Sequence, residues 1–306
     1  MPLILPNSLP ATKVLQDENI FVMDHERAIS QDIRPLEILI VNLMPDKVTT
    51  ETQLARMLAN SPLQVRLTLL RTGTYLGTHT PLEHIGAFYR TLDELQGKRY
   101  DGMIITGAPV EQMAFEEIDY WDELRRLLEF SRENVFSTVY LCWAAMAALY
   151  YYYDIPKVGF PQKLHGVFEH RVVRPGNPLV RGFDEIFYVP HSRHAGIDRL
   201  AVEKVPELRI LAESDEAGLH LLSTENGREI YVMGHSEYDK ETLYNEYQRD
   251  RAAGMNPQPP QGYFRDNDPE KDILFRWRSH GHLLYSNWLN YYVYQDTPFD
   301  LSQLKK

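Results

Sequence analysis

The chain has a single cysteine, Cys142. It follows the apolar, partly β-branched run Val135–Leu141 and precedes Trp143-Ala144-Ala145-Met146-Ala147-Ala148-Leu149, a stretch rich in helix-favouring alanine. A strand that turns straight into a helix has this pattern. A thiol at such a junction lies beyond the carboxyl end of a strand, where parallel α/β sheets bind ligands. The partial positive charge of the helix N-terminus favours thiolate, the nucleophilic form. A lone cysteine reads more readily as a buried structural residue, because free cysteine is among the most buried residue types. A second feature changes that reading. The strand-like Glu229–Met233 ends at Gly234-His235-Ser236-Glu237, which places His235 at another strand's carboxyl end. His235 can take the Cys142 proton and Glu237 can orient the imidazole, the roles of a catalytic triad. An isolated His-x-Glu is more often a surface pair. The three residues together point to nucleophilic catalysis.

Attack on a carbonyl also needs donors for the oxyanion. Trp143 N–H, directly after the nucleophile, is one candidate. Val110 N–H is the other, since Pro109 has no N–H to give. The plain alternative is that Thr106-Gly107-Ala108-Pro109 is only a tight turn.

The elements that must position these groups are legible in the first half. Leu36 to Asn42 is nearly continuously apolar, as a buried parallel strand should be. Leu54, Met57 and Leu58 recur at helical spacing, with Thr49 or Thr50 as N-cap. Strands follow at Val65–Leu70, Tyr100–Ile105 and Val135–Leu141, with an amphipathic helix carrying Trp121, Leu124, Leu127 and Leu128 before the last. This alternation implies βαβ units and a parallel sheet. The second half is less regular. Short strands are expected at Gly166–Val173, Ile186–Val189, Leu208–Ala212, Leu219–Leu222 and Glu229–Met233, and helices at Lys240–Arg251 and His282–Tyr294. Pro257 to Pro269 reads as a loop. Residues 1–35 lack a strong period and read as an extension over the surface of a single catalytic domain, 36–306.

With 306 residues the chain can bury a sizeable core, and 43% hydrophobic with 25% charged residues is an ordinary globular profile. A formal net charge of −11 argues against broad binding to nucleic acid or an anionic membrane. One cysteine permits no internal disulfide, which fits a reducing cytoplasm. The apolar start, Met1 to Pro10, has three prolines and no basic region, so it does not read as a signal peptide. No apolar run is long enough to cross a bilayer. His165 and His170, His191 and His194, and His280 and His282 are paired in sequence, but none makes a recognised metal motif, and no metal is expected. Tyr150 to Tyr153 reads as packing or interface surface.

The order strand, Cys142, helix, then a distant His235-x-Glu237 resembles the class I glutamine amidotransferase superfamily. Within it the chain is much more similar to the homoserine O-acyltransferases, over essentially its whole length. The resemblance is carried by Asn42-Leu43-Met44-Pro45-Asp46-Lys47, Thr106-Gly107-Ala108-Pro109, Cys142-Trp143-Ala144, Pro190-His191-Ser192-Arg193 and Gly234-His235-Ser236-Glu237-Tyr238-Asp239. It continues through Trp277-Arg278-Ser279-His280-Gly281 and Asn287-Trp288-Leu289-Asn290-Tyr291-Tyr292. True glutamine amidotransferases usually frame the nucleophile as Gly-x-Cys-x-Gly. Here the frame is Tyr140-Leu141-Cys142-Trp143-Ala144, which weighs against glutaminase chemistry but not against the fold.

The resemblance implies a mostly parallel sheet flanked by helices, in a class I glutamine amidotransferase-like (flavodoxin-like) domain. It implies ping-pong transfer from acetyl-CoA, through a Cys142 thioester, to the hydroxyl of L-homoserine, in methionine biosynthesis. Lys163, Ser192 and Arg249 would contact homoserine. Arg249 suits a carboxylate, because its planar fork binds both oxygens. Read without the family, these three are a loop charge, a turn residue and a solvated helix face. Glu111 would sit beside the acyl group, where family members with glycine tend to accept succinyl. A glutamate there fills space and opposes the succinyl carboxylate with a like charge. No bound cofactor is expected, acetyl-CoA being a co-substrate. Nucleic-acid and membrane partners are not expected, and a homodimer is left open. The rival readings are a succinyl-CoA donor, a glutaminase-type cysteine hydrolase and a catalytically inert binding protein.

Overall fold

The computed structural model describes residues 3–18, 20–24, 34–74, 79–95 and 97–304. The first elements are Leu3–Ile4 (β1), Pro10–Asp17 (α1) and Val22–Met23 (β2). Then come Leu36–Val41 (β3), Lys47–Ala59 (α2), Val65–Leu70 (β4), Leu82–Phe88 (α3), Tyr89–Arg90 (β5) and Tyr100–Ile105 (β6). Trp121–Asn134 (α4), Val135–Leu141 (β7) and Trp143–Tyr153 (α5) complete the regular half. The second half holds Lys157–Val172 (β8), Ile186–Ile197 (β9), Arg199–Glu203 (α6), Leu208–Ser214 (β10), Gly218–Thr224 (β11) and Glu229–Val232 (β12). It ends with Thr242–Ala252 (α7) and Arg278–Asn287 (α8), which runs into a π-helical turn at Trp288–Tyr294.

Among the described residues the strands form one sheet, in the order β2-β1-β4-β3-β6-β7-β12-β11-β10-β8-β9, with β5 beside β4. From β2 to β12 every pairing is parallel, and from β12 to β9 every pairing is antiparallel. Side chains of the central strands alternate between two cores. Leu39, Val41, Met103 and Ile105 pack toward α4 and α5, while Ile38, Ile40 and Ile104 pack toward α2 and α8. Helix α5 is buried throughout from Trp143 to Leu149, so it is apolar all round rather than striped.

The structure differs from the sequence reading at several points. The expected 1–35 extension is more than surface chain, because β1 and β2 continue the parallel sheet; residues 1–2, 19 and 25–33 of it lie outside the described residues. Asp46, not Thr49 or Thr50, caps α2, its carboxylate accepting from Thr49 N–H at 3.2 Å. The Gly166–Val173 and Ile186–Val189 segments belong to a much longer hairpin, β8 with β9. Pro161 and the polar stretch around it disguise β8. The ladder tolerates that proline because its register is broken between Gly159 and Leu164. As a result Pro190-His191-Ser192-Arg193 lies within β9, not in a turn.

The sheet is closely covered at Gly102 on β6. A Cβ there would come within 2.8 Å of both Ile38 Cδ1 and Trp288 Cζ2. Trp288 is also held in place by its Nε1–H, which donates to Ser137 Oγ at 2.9 Å. Gly102→Ala should therefore destabilise the protein by about 1–3 kcal/mol through overpacking. Urea unfolding checks this, and an unchanged midpoint would contradict the packing described.

Candidate active site

The site begins with strand register. Leu141, the last residue of β7, pairs with Val232, the last of β12, and Cys142 N–H donates to Val232 O at 2.7 Å. The two chains leave the sheet side by side, one into Cys142 and the other into Met233-Gly234-His235. Cys142 is buried and adopts φ 49°, ψ −112°. This is a strained elbow for a residue with a Cβ, a cost of order 1–3 kcal/mol that the surrounding structure must hold. The elbow forms without flanking glycines. The room for it comes from the neighbouring loop, where a Cβ on Gly107 would sit 3.2 Å from Cys142 Cβ.

The structure brings His235 and Glu237 together and places His235 beside Cys142. His235 Nδ1 and Glu237 Oε1 are 2.7 Å apart in a buried pair, and the imidazole stacks on Tyr238 at 4.3 Å between ring centroids. The remaining ring nitrogen is then available to the thiol. Burial disfavours the imidazolium, but the charges of Glu237 and Cys142, with hydrogen bonds to both, outweigh it and hold the His235 pKa well above the ordinary histidine value. A base so placed readily accepts the cysteine's proton. The first residue of α5 is Trp143, whose N–H has no intrahelical acceptor by position and points with the helix N-terminus. Val110 N–H instead donates to Ala108 O at 2.9 Å.

Lys163 and Ser192 converge on a residue that sequence reasoning missed, Glu246. Lys163 Nζ donates to Glu246 Oε2 at 3.4 Å and Ser192 Oγ donates to the same oxygen. His165 Nε2 lies 3.6 Å from it, and burial lowers that histidine's pKa to about 4. Glu246 sits on α7, one turn before Arg249. The signal available in the sequence was this helical spacing from Arg249. Arg249 is largely exposed and donates twice to Asp250 Oδ1, at 2.9 and 2.7 Å. A small cavity of about 90 Å³ connects Glu246 with His235, with Gly107, Leu141, Glu237 and Tyr238 also in its walls. Glu111 is half-buried on the loop after β6, close enough for its charge to act on Arg193 and Tyr238. A larger cleft, about 660 Å³, opens where β7 and β12 begin, but it contains neither the cysteine nor a histidine, and its Arg132 is paired with Glu229.

The histidines do not gather in their sequence pairs. Among the described residues, His170, His191 and His220 come together, buried below Gly234. No helix among the described residues is long and apolar enough to cross a membrane.

A cysteine at a strained strand–helix junction, faced by a His-x-Glu from the adjacent parallel strand, defines a class I glutamine amidotransferase-like α/β protein. Solved structures share this fold. A glutamine amidotransferase from Thermotoga maritima superposes with a TM-score of 0.53 at 12% identity, over 84% of this chain and 98% of that one. One from Methylobacillus flagellatus gives 0.53 at 9% identity, over 84% and 95%. The family model described as homoserine O-succinyltransferase matches residues 2–299, and the chain belongs to that family. Similar curated proteins are the homoserine O-acetyltransferases of Acetivibrio thermocellus, 53% identical over the full length of both chains, and of Clostridium acetobutylicum, 54% identical over 98% of this chain and all of that one. That of Thermotoga neapolitana is 54% identical over 99% and 100%.

The geometry assigns unequal weights to the triad. Cys142→Ser and His235→Ala should lower kcat by about 10³-fold or more, because with Cys142 as the proposed nucleophile and His235 as its proposed base each removes a group that bonds to, or moves a proton for, the reacting atoms. Glu237→Ala should cost less, about 10²-fold, since it orients the base. Steady-state acyl-transfer assays check the order, and normal turnover by Cys142→Ala would rule out the nucleophile.

Proposed function

We propose that the chain is a homoserine O-acetyltransferase that carries the acetyl group on Cys142. The observation that carries this reading is the buried Cys142–His235–Glu237 array, in a chain more than half identical to full-length homoserine O-acetyltransferases.

His235 takes the Cys142 proton as the sulfur attacks the acetyl-CoA carbonyl. The oxyanion is received at the N-terminus of α5, with Trp143 N–H as donor. Val110 N–H joins it only if the 108–111 turn opens away from Ala108 O. The carbon–sulfur bond to CoA breaks, and the departing thiolate takes the proton from His235. Homoserine then enters, His235 removes its hydroxyl proton, and the oxygen attacks the Cys142 thioester. Collapse returns Cys142 and releases O-acetylhomoserine. No bound cofactor takes part. The cavity is too small for the whole of CoA, so the acyl end enters while the rest stays outside.

Homoserine is positioned by groups already converging on the pocket. Its ammonium meets Glu246, which Ser192 and Lys163 already approach. Its carboxylate meets Arg249, one turn along the same helix, once the guanidinium swings from Asp250. This is a step in methionine biosynthesis, and we place the protein in the cytoplasm, with small molecules rather than nucleic acid as partners; a homodimer is compatible with this reading.

The acyl donor follows from Glu111. A half-buried glutamate beside the acyl site opposes the terminal carboxylate of succinyl-CoA, whereas acetyl is small and uncharged. Wild-type kcat/KM should favour acetyl-CoA over succinyl-CoA by about 10²-fold or more, and Glu111→Gly should shrink that ratio. A wild type that prefers succinyl-CoA would overturn the donor assignment. An unchanged ratio in Glu111→Gly would leave acetyl standing but remove Glu111 as its cause. Separately, Arg249→Ala should raise the homoserine KM by about tenfold or more while acylation of Cys142 proceeds. Failure of acylation with unchanged homoserine KM would assign Arg249 to the other substrate.

A further inference from the structure

Directly beneath the catalytic histidine lies a group of side chains that the reaction does not use. Three consecutive N–H groups of the His235 segment are pinned to it or to its strands. Met233 N–H donates to His220 O at 2.8 Å, Gly234 N–H to His220 Nδ1 at 3.3 Å, and His235 N–H to Pro190 O at 2.8 Å. Gly234 rests on the His191 ring. A Cβ there would come within 2.8 Å of His191 Cε1 and 2.4 Å of Val189 Cγ1.

The ring nitrogens have mutually consistent roles. Arg193 Nε–H donates to His191 Nδ1 at 3.2 Å, which fixes the His191 proton on Nε2. That proton is donated to His170 Nε2 at 3.1 Å. His170 must then carry its own proton on Nδ1, where it donates to Phe168 O at 3.0 Å. His220 accepts through Nδ1 and carries its proton on Nε2. Arg193 is fully buried, and its other arms donate to Ala195 O at 2.5 Å and Ala217 O at 2.6 Å. Three histidines with ligand atoms within 4.8 Å of one another could suggest a metal site. The tautomers argue against it. Ligation through His191 Nε2 would move its proton to Nδ1, against the Arg193 donor, and ligation through His220 Nε2 would set a proton against Gly234 N–H.

We propose that Arg193, His191, His170 and His220 form a buried relay, the first three linked by hydrogen bonds and the His220 ring packed edge-on against His170 and His191, that positions Gly234 and His235 against Cys142. The four are positioning residues. Neutrality is maintained by burial first, with the Arg193 charge acting in the same direction. Together these hold His191 and His220 well below the ordinary histidine pKa, while burial takes His170 to about 4. Only the imidazole interior of the relay is uncharged. Its one cation is Arg193, whose pKa burial lowers to about 10, with Cys142 and Glu111 partly opposing that.

The proposal rests on His235 as the base, and the two claims are separable. His235→Ala removes the base itself, whereas variants of His220 leave the imidazole in place. His220→Leu deletes the acceptor for Gly234 N–H. His220→Asn keeps a side-chain oxygen near the position of Nδ1. With folding verified by thermal unfolding, His220→Leu should lower kcat by roughly 10- to 100-fold, because a small displacement of the base is costly. KM for homoserine and acetyl-CoA should stay within about twofold, and His220→Asn should recover most of the lost kcat. At the far end, His170→Gln, which retains an acceptor in place of Nε2, should likewise exceed His170→Leu, and this pair decides if His220→Leu does not fold. Equal losses in the leucine and amide variants, or a rise in KM that matches the fall in kcat, would overturn the relay. So would one zinc ion per chain retained by wild type after dialysis against zinc and then buffer.

Discussion

The site depends on two parallel strands ending in register. β7 and β12 pair up to Leu141 and Val232, and the next N–H, that of Cys142, still bonds to Val232 O. A slip of one residue would send the cysteine to the other face of the sheet and away from His235. The same register forces the chain to turn at once, so Cys142 takes a left-handed conformation that its Cβ disfavours. The surrounding layers hold that strain. Trp143 through Leu149 are buried without exception, and Gly107 leaves space against the cysteine. The Cys142 geometry, the helix N-terminus behind it and the placement of His235 are thus consequences of one pairing.

The antiparallel half of the sheet supports His235 more than Cys142. β9 supplies Pro190 O and the His191 ring, and β11 supplies both the backbone and the ring of His220. From the opposite side α8 closes in. A Cβ on Gly281 would lie 2.6 Å from Ser236 O, and Trp277 Nε1–H donates to Tyr238 O at 2.9 Å. The His235-Ser236-Glu237 segment is therefore clamped between a hairpin and a helix, although it lies outside any strand or helix. Preorganisation of this kind matters because proton transfer is sensitive to displacements well under an ångström or two.

The parallel half was legible in the sequence because its strands are buried on both faces and read as continuous apolar runs; β3, β4, β6 and β7 are the clearest. The cysteine and the His-x-Glu were legible for a related reason, since each directly follows such a run. The hairpin β8–β9 was not. Its ladder carries Pro161 and polar residues, and most of β8 pairs on one side only, so local composition and periodicity are both misleading. Glu246 was missed because nothing marks one carboxylate among those on and beside α7, Asp250 on the helix and Glu241 just before it. Its role depends on Lys163 and Ser192, which arrive from two other strands. The histidine group was hidden likewise, its members lying on β8, β9 and β11, and the sequence pairs His191 with His194 rather than with His170 or His220.

The fold is shared with glutamine amidotransferases, yet here its elbow lacks flanking glycines and lies beside a pocket lined by Gly107, Leu141, His235 and Glu246. On the proposed mechanism, transfer rather than hydrolysis turns on one covalent intermediate. Intact-protein mass spectrometry after mixing with acetyl-CoA tests it most directly. The account predicts a gain of one acetyl group, localised to Cys142 by peptide mapping, that disappears when homoserine is added and does not form in Cys142→Ala. An acetyl group that forms equally in Cys142→Ala, or one on Cys142 that homoserine fails to discharge, would contradict it.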